Sequence, residues 1–151
     1  MRILADTNIA LRYIQKDSEF HAETEQAVAR LLLDGHQIVL VPQILYELWA
    51  VGTRPAKANG AGWTTAVAKN VVNVLLEQFE LVEDVPGVFP HWLSLVGQHG
   101  VPGKPTHDAR LAAAIQIHGL DAILTRNTDD FKRFGLNVIH PDDLSSGDST
   151  P

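Results

Sequence analysis

The sequence predicts an α/β domain built on a parallel sheet, and three observations carry that prediction. Short continuous apolar runs alternate with longer stretches of helical periodicity, the pattern of strands joined by crossover helices. Most of the runs lack the polar alternation of a half-exposed strand, as expected where helices cover both sheet faces. The chain has 151 residues, 45% apolar and 20% charged. That length suits one domain, which at this size buries roughly 70% of its unfolded surface without disulfides or structural metal.

Strands are expected at residues 2–5, 37–41, 80–82, 122–125 and 137–140. Between the first two, residues 23–33 place Ala27 and Leu31 on one helical stripe, and Asp34-Gly35 ends it. Pro42 suits the first turn of a helix running to about Val51. Over 64–79, Val67, Val71, Val74, Leu75 and Phe79 recur at the spacing of an amphipathic helix. The segment 54–62, with Pro55, Gly60 and Gly62, is a loop between these two helices. A helix over 106–118 takes Thr106 as N-cap and Gly119 as its stop. One domain spans 1–144, and the apolar-poor stretch 145–151 reads as a disordered tail.

Composition excludes several chemistries. There is no cysteine, so thiolate metal sites, disulfide scaffolds and cysteine nucleophiles are ruled out, and a reducing cytoplasm is the expected location. No apolar run reaches the ~20 residues of a membrane helix. Asp6 comes too early in the chain for a signal peptide. Twelve basic against eighteen acidic residues give a net charge of −6, the opposite of a broad basic nucleic-acid face.

The informative residues are carboxylates set where apolar residues belong. Asp6 follows Ile3-Leu4-Ala5, at the C-terminal end of the first strand, where open parallel sheets bind ligands; the same residue also suits an N-cap. Glu47 is the lone charge in Ile44-Leu45-Tyr46-Glu47-Leu48-Trp49-Ala50-Val51, which reads either as a buried carboxylate needing a partner or as the centre of a solvent-facing stripe. Asp108 precedes the Ala-rich run 112–114 and falls in a first helical turn, where it offsets the macrodipole as well. Asp130 follows the strand ending at Thr125, with Asp129 as its neighbour and rival. Two bare carboxylates ~4 Å apart repel by about 4 kcal/mol at an effective dielectric near 20, so acids gathered in one crevice need a cation. An all-oxygen donor set suits Mg²⁺ or Mn²⁺.

Asp6-Thr7-Asn8, Glu47 within an apolar helix, Asp108 ahead of an Ala-rich helix and Thr125-Arg126-Asn127-Thr128-Asp129-Asp130-Phe131 together resemble the PIN-domain ribonucleases. Within that family the chain is most similar to the single-domain VapC-type toxins of toxin–antitoxin pairs, over residues 1 to about 144. Arg54-Pro55 and Asn59-Gly60-Ala61-Gly62 are similar to a loop found in a subset of them. The resemblance implies a three-layer α/β/α fold with a five-stranded, mostly parallel sheet and metal-dependent hydrolysis of RNA phosphodiester bonds. It assigns catalysis to Asp6, Glu47, Asp108 and Asp130. A Mg²⁺ or Mn²⁺ ion falls to Asp6, Asp108 and Asp130, and a second ion to Glu47. Asn8, Thr125, Asn127 and Asp129 stand as supporting residues. The implied partners are RNA, a small antitoxin and a second copy of the chain, with no membrane. Arg110, Arg126, Lys132 and Arg133 lie near the site residues in sequence and are candidates to hold phosphate.

Other signals carry less. The seven histidines include no pair at the spacing of a helical zinc site, and His107-Asp108 is too short a fragment of a phosphohydrolase motif. Trp49, Trp63 and Trp92 are read as packing residues before base-stacking ones. Two alternatives stand beside the nuclease: a PIN-like module that binds without cutting, and a phosphoaspartyl hydrolase using Asp6. The second lacks the acid expected two residues on, where Asn8 stands.

Overall fold

The centre of the sheet is made by three runs that are buried throughout. Ile3, Leu4 and Ala5 of β1 (Arg2–Ala5), Ile38, Val39 and Leu40 of β2 (Gln37–Leu40), and Ala122, Ile123 and Leu124 of β4 (Ala122–Leu124) are each at most 3% exposed. Successive strand residues point to opposite faces, so burial of all of them requires helices on both sides. Shorter strands, β3 (Glu80–Leu81) and β5 (Val138–Ile139), close the edges. The order is β3-β2-β1-β4-β5 and every pairing is parallel. The structure, a computed structural model, describes residues 1–145. Apart from the backbone of Ser145, the expected tail at 145–151 lies outside them.

The helices are α1 (Thr7–Ile14), α2 (His21–Leu33), α3 (Pro42–Thr53), α4 (Thr65–Gln78), α5 (Val88–His99), α6 (Pro105–His118) and the single turn α7 (Asp142–Ser145). No helix among the described residues is long and apolar enough to cross a membrane.

Two departures from the sequence reading have clear causes. Helix α5 went unread because Gly87, Pro90 and Gly97 mimic loop punctuation. Pro90 is the third residue of the helix, where its missing N–H would have had no intrahelical partner. Val88, Trp92 and Leu95 then pack on Ala109, Ala112 and Ala113 of α6. Helix α6 starts at Pro105, not Thr106, and the Thr106 hydroxyl donates to the Gly103 carbonyl (2.6 Å) instead of capping. The opposite face of α6, with Leu111, Ala114 and Ile115, joins the sheet core. Its alanines let α6 lie tightly between the sheet and α5, which holds its first turn in place.

The loop after α3 folds back on that helix. Trp63 N donates to the Gly52 carbonyl (2.8 Å), and a Cβ on Gly52 would lie 2.2 Å from the indole of Trp63. Any larger residue at 52 would collide with the ring. Trp63 is thus a packing residue. Gly52→Ala should displace it and destabilise the fold by about 1–3 kcal/mol. Urea unfolding monitored by tryptophan fluorescence measures this, and an unchanged midpoint would contradict it.

Candidate active site

Register places the first acid. Ala5 pairs with Leu124 across β1 and β4, and Asp6 N donates to the Leu124 carbonyl (3.0 Å), so Asp6 and Thr125 leave the sheet side by side. This is the point where β2 lies to one side of β1 and β4 to the other, the crevice at which parallel sheets bind ligands. Asp6 is 7% exposed. Its Oδ1 accepts from Thr7 N (2.7 Å) and so caps α1, while Oδ2 accepts from the Thr125 hydroxyl (2.7 Å) and from Asn8 Nδ2 (3.3 Å). The capping and site readings of Asp6 therefore describe one side chain with two oxygens. Burial raises its pKa, against the pull of the Thr125 and Thr7 bonds.

Glu47 reaches the same crevice from α3. It is half-buried beside the exposed Tyr46 and Ala50, so α3 is not enclosed on all sides. The Thr7 hydroxyl donates to Oε2 (2.6 Å) and Gln43 Nε2 donates to Oε1 (2.8 Å). Asp108, in the first turn of α6, is raised to about 6, first by burial and then by the charges of Asp130, Asp6 and Glu47. Asp130 sits in the 3₁₀ turn Thr128–Asp130, and its charge is felt at both Asp6 and Asp108. Asp129 is turned to solvent and bound to Lys132 Nζ (2.6 Å), which lowers its pKa. Both adjacent acids are exposed, and they differ in what they act on: the charge of Asp130 reaches Asp6 and Asp108, while Asp129 is paired with Lys132.

The crevice opens as a cleft of about 450 Å³ lined by Asp6, Thr7, Asn8, Glu47, Asp108 and Asn127, with Arg54 and His107 at its walls. The four acids act on one another electrostatically. Even so, among the described residues no three His, Asp or Glu side chains stand close enough to hold an ion as they are. Asn127 N donates to the Thr125 hydroxyl (3.0 Å), which orders the turn that follows β4.

The candidate phosphate-binding cations divide. Arg110 pairs with Asp84 (3.2 Å) and Lys132 with Asp129. The Arg126 side chain is only 13% exposed and stacks 3.8 Å above the Phe20 ring, with Asp142 at 3.9 Å. The charge of Arg133 opposes the rise at Asp108, and its guanidinium lies 6.0 Å from the centre of the Phe134 ring. Two residues that sequence reading missed are Thr7 and Gln43. The available signals were adjacency to Asp6 and the i, i+4 spacing to Glu47 that puts two residues on one helix face.

The sign for Asp108 follows from its raised pKa. The folded protein keeps the proton longer than the unfolded chain, so stability falls as pH rises from the ordinary value towards about 6 and stays lower above it. Asp108→Asn should therefore raise the melting temperature of the metal-free protein near neutral pH, and the gain should shrink as pH is lowered through that range. Thermal unfolding across pH checks this, and a gain independent of pH would contradict it.

The PIN domain family model matches residues 3–136. No curated protein sequence matches the chain. Among solved structures, VapBC2 from Rickettsia felis, bound to a DNA fragment from its promoter, aligns with TM-score 0.68 at 18% identity, covering 93% of this chain and 98% of that one. FitAcB from Neisseria gonorrhoeae aligns with TM-score 0.66 at 22% identity, over 95% and 100% of the two chains. VapC20 from Mycobacterium tuberculosis, described as a sarcin-ricin loop cleaving toxin, gives TM-score 0.62 at 12% identity, over 89% and 95%. At these identities the likeness is one of fold.

Proposed function

Because the chain belongs to the PIN-domain family, we propose that it is a metal-dependent endoribonuclease, the toxin of a type II toxin–antitoxin pair. The observation that carries this reading is the meeting of Asp6, Glu47 and Asp108 in one cleft beyond β1, with the charge of Asp130 acting on Asp6 and Asp108 from the turn after β4. The fold shared with VapC and Fit proteins supports it, as does the description of one such protein as a toxin that cleaves the sarcin-ricin loop.

The donor chemistry fits Mg²⁺ or Mn²⁺, since Asp6, Glu47 and Asp108 in the cleft and Asp130 on the neighbouring turn offer only hard oxygens. Asp6, Asp108 and Asp130 would hold the ion, and Glu47 would serve a second one. When bound, the ion supplies Lewis acidity towards a phosphate oxygen and makes water a better nucleophile at neutral pH. The chain does the positioning. Thr125 and Thr7 N fix both oxygens of Asp6, and Thr7 and Gln43 fix both oxygens of Glu47. Asp108 sits in the first turn of α6 and Asp130 on an exposed turn, and these two would complete the set of oxygens around the ion. Asn8 and Asn127 support Asp6 and the turn after β4. Arg54 and Arg133 are best placed to meet backbone phosphate, with Arg110 and Lys132 released from their carboxylate partners as a wider rim.

The partners that follow are RNA in the cytoplasm, a small antitoxin and a second copy of the chain. Purified protein incubated with total RNA should cut it only when Mg²⁺ or Mn²⁺ is supplied, and Asp6→Asn should reduce cutting to background while the fold persists by circular dichroism. Cutting by Asp6→Asn at the wild-type rate would overturn the reading. Binding of single-stranded RNA by the Asp6→Asn protein should weaken as salt rises, with a log–log slope of about −0.7 for each phosphate contacted. A slope of zero would remove the basic rim.

A further inference from the structure

Gln43 stands behind the cleft instead of in it. It is 5% exposed, one helical turn before Glu47 on α3. Its Nε2 donates to Glu47 Oε1 at 2.8 Å and to the backbone carbonyl of His107, the residue before Asp108, at 2.9 Å. One amide nitrogen thus ties α3 to the first turn of α6, 64 residues further on. Among the described residues its Oε1 is buried and has no hydrogen-bond partner.

The orientation of the amide is decided by its neighbours. Turning it over would set Oε1 against a carboxylate oxygen and a carbonyl oxygen, two acceptors, so the nitrogen must face them and the oxygen is left without a donor. A buried carbonyl without a partner is a cost to the fold that an apolar side chain of the same length would avoid. The two bonds that the nitrogen donates offset that cost, and they also fix geometry. Thr7 holds one oxygen of Glu47 and Gln43 the other, and each carboxylate oxygen keeps a second lone pair for a further partner. The bond to His107 sets how far the Glu47 carboxylate stands from the turn that carries Asp108.

We infer that Gln43 is a positioning residue for the divalent cation of this cleft: it fixes Glu47 and sets the spacing between α3 and the first turn of α6. The inference rests on the metal-dependent reading above. Outer partners that orient ligating side chains commonly affect metal affinity about 10- to 100-fold.

Gln43→Met keeps the length, fills the buried space and removes both donated bonds together with the unpartnered oxygen. Titration calorimetry of the whole chain with Mn²⁺, at a temperature where circular dichroism shows the variant folded, should show affinity falling about 10- to 100-fold. A lowered midpoint with unchanged Mn²⁺ affinity would make Gln43 a structural residue and overturn the inference, as would no change in either. If the variant does not fold, the wild-type protein still decides: the Gln43 side-chain amide protons should shift in NMR spectra when Mg²⁺ is added, and unmoved resonances would overturn the inference. Wild-type protein that binds neither ion would remove the parent reading and this one with it. Wild-type binding matched by equal binding in Gln43→Met would remove this one alone.

Discussion

The parallel register of β1 against β4 is the constraint on which the site depends. Ala5 opposite Leu124 ends the two strands at one level, so the residues that follow, Asp6 and Thr125, meet though they are 119 positions apart in the chain. A slip of one residue would turn the side chains of one strand to the other face and separate the pair. The same register starts α1 from Asp6, which brings the Thr7 hydroxyl round to Glu47. Burial of the strands on both faces makes this register rigid, because every alternative would move Ile3, Leu4, Ile123 or Leu124 out of a filled core.

Around that junction the fold concentrates negative charge at a cost. Asp6 and Asp108 are both pushed above the ordinary carboxylate range by burial and by their acidic neighbours. Hydrogen bonds from Thr125, Thr7 N, the Thr7 hydroxyl and Gln43 offset part of that cost without neutralising the charge. The cations nearest in sequence are largely engaged elsewhere, Arg126 by Phe20 and Asp142, Arg110 by Asp84, Lys132 by Asp129. The cleft is therefore left electronegative, as the proposed metal-dependent reaction requires.

Strands were legible because a run such as Ile3-Leu4-Ala5 or Ala122-Ile123-Leu124 admits little besides a buried strand once turn residues bound it. Helix α5 was not, since Pro90 and Gly97 break the local pattern and only packing on the alanines of α6 makes that segment a helix. Asp6, Glu47 and Asp108 were legible as charges in apolar company. Asp129 and Asp130 were indistinguishable by type, and what tells them apart in the structure is the Lys132 partner of Asp129 and the charge that Asp130 exerts on Asp6 and Asp108.

From residue order alone follow the α/β class and the parallel sheet, and Asp6, Glu47 and Asp108 stand out as candidates, because hydrophobic periodicity and misplaced charge are local properties of a chain. Tertiary structure decided which oxygen of each acid is held and by what. It brought in Thr7 and Gln43, neutral polar residues with no pattern of their own, and withdrew Arg126 into a stack on Phe20. Such choices turn on distances between segments far apart in sequence, and those distances exist only once the sheet register and the packing of α3 and α6 have set them.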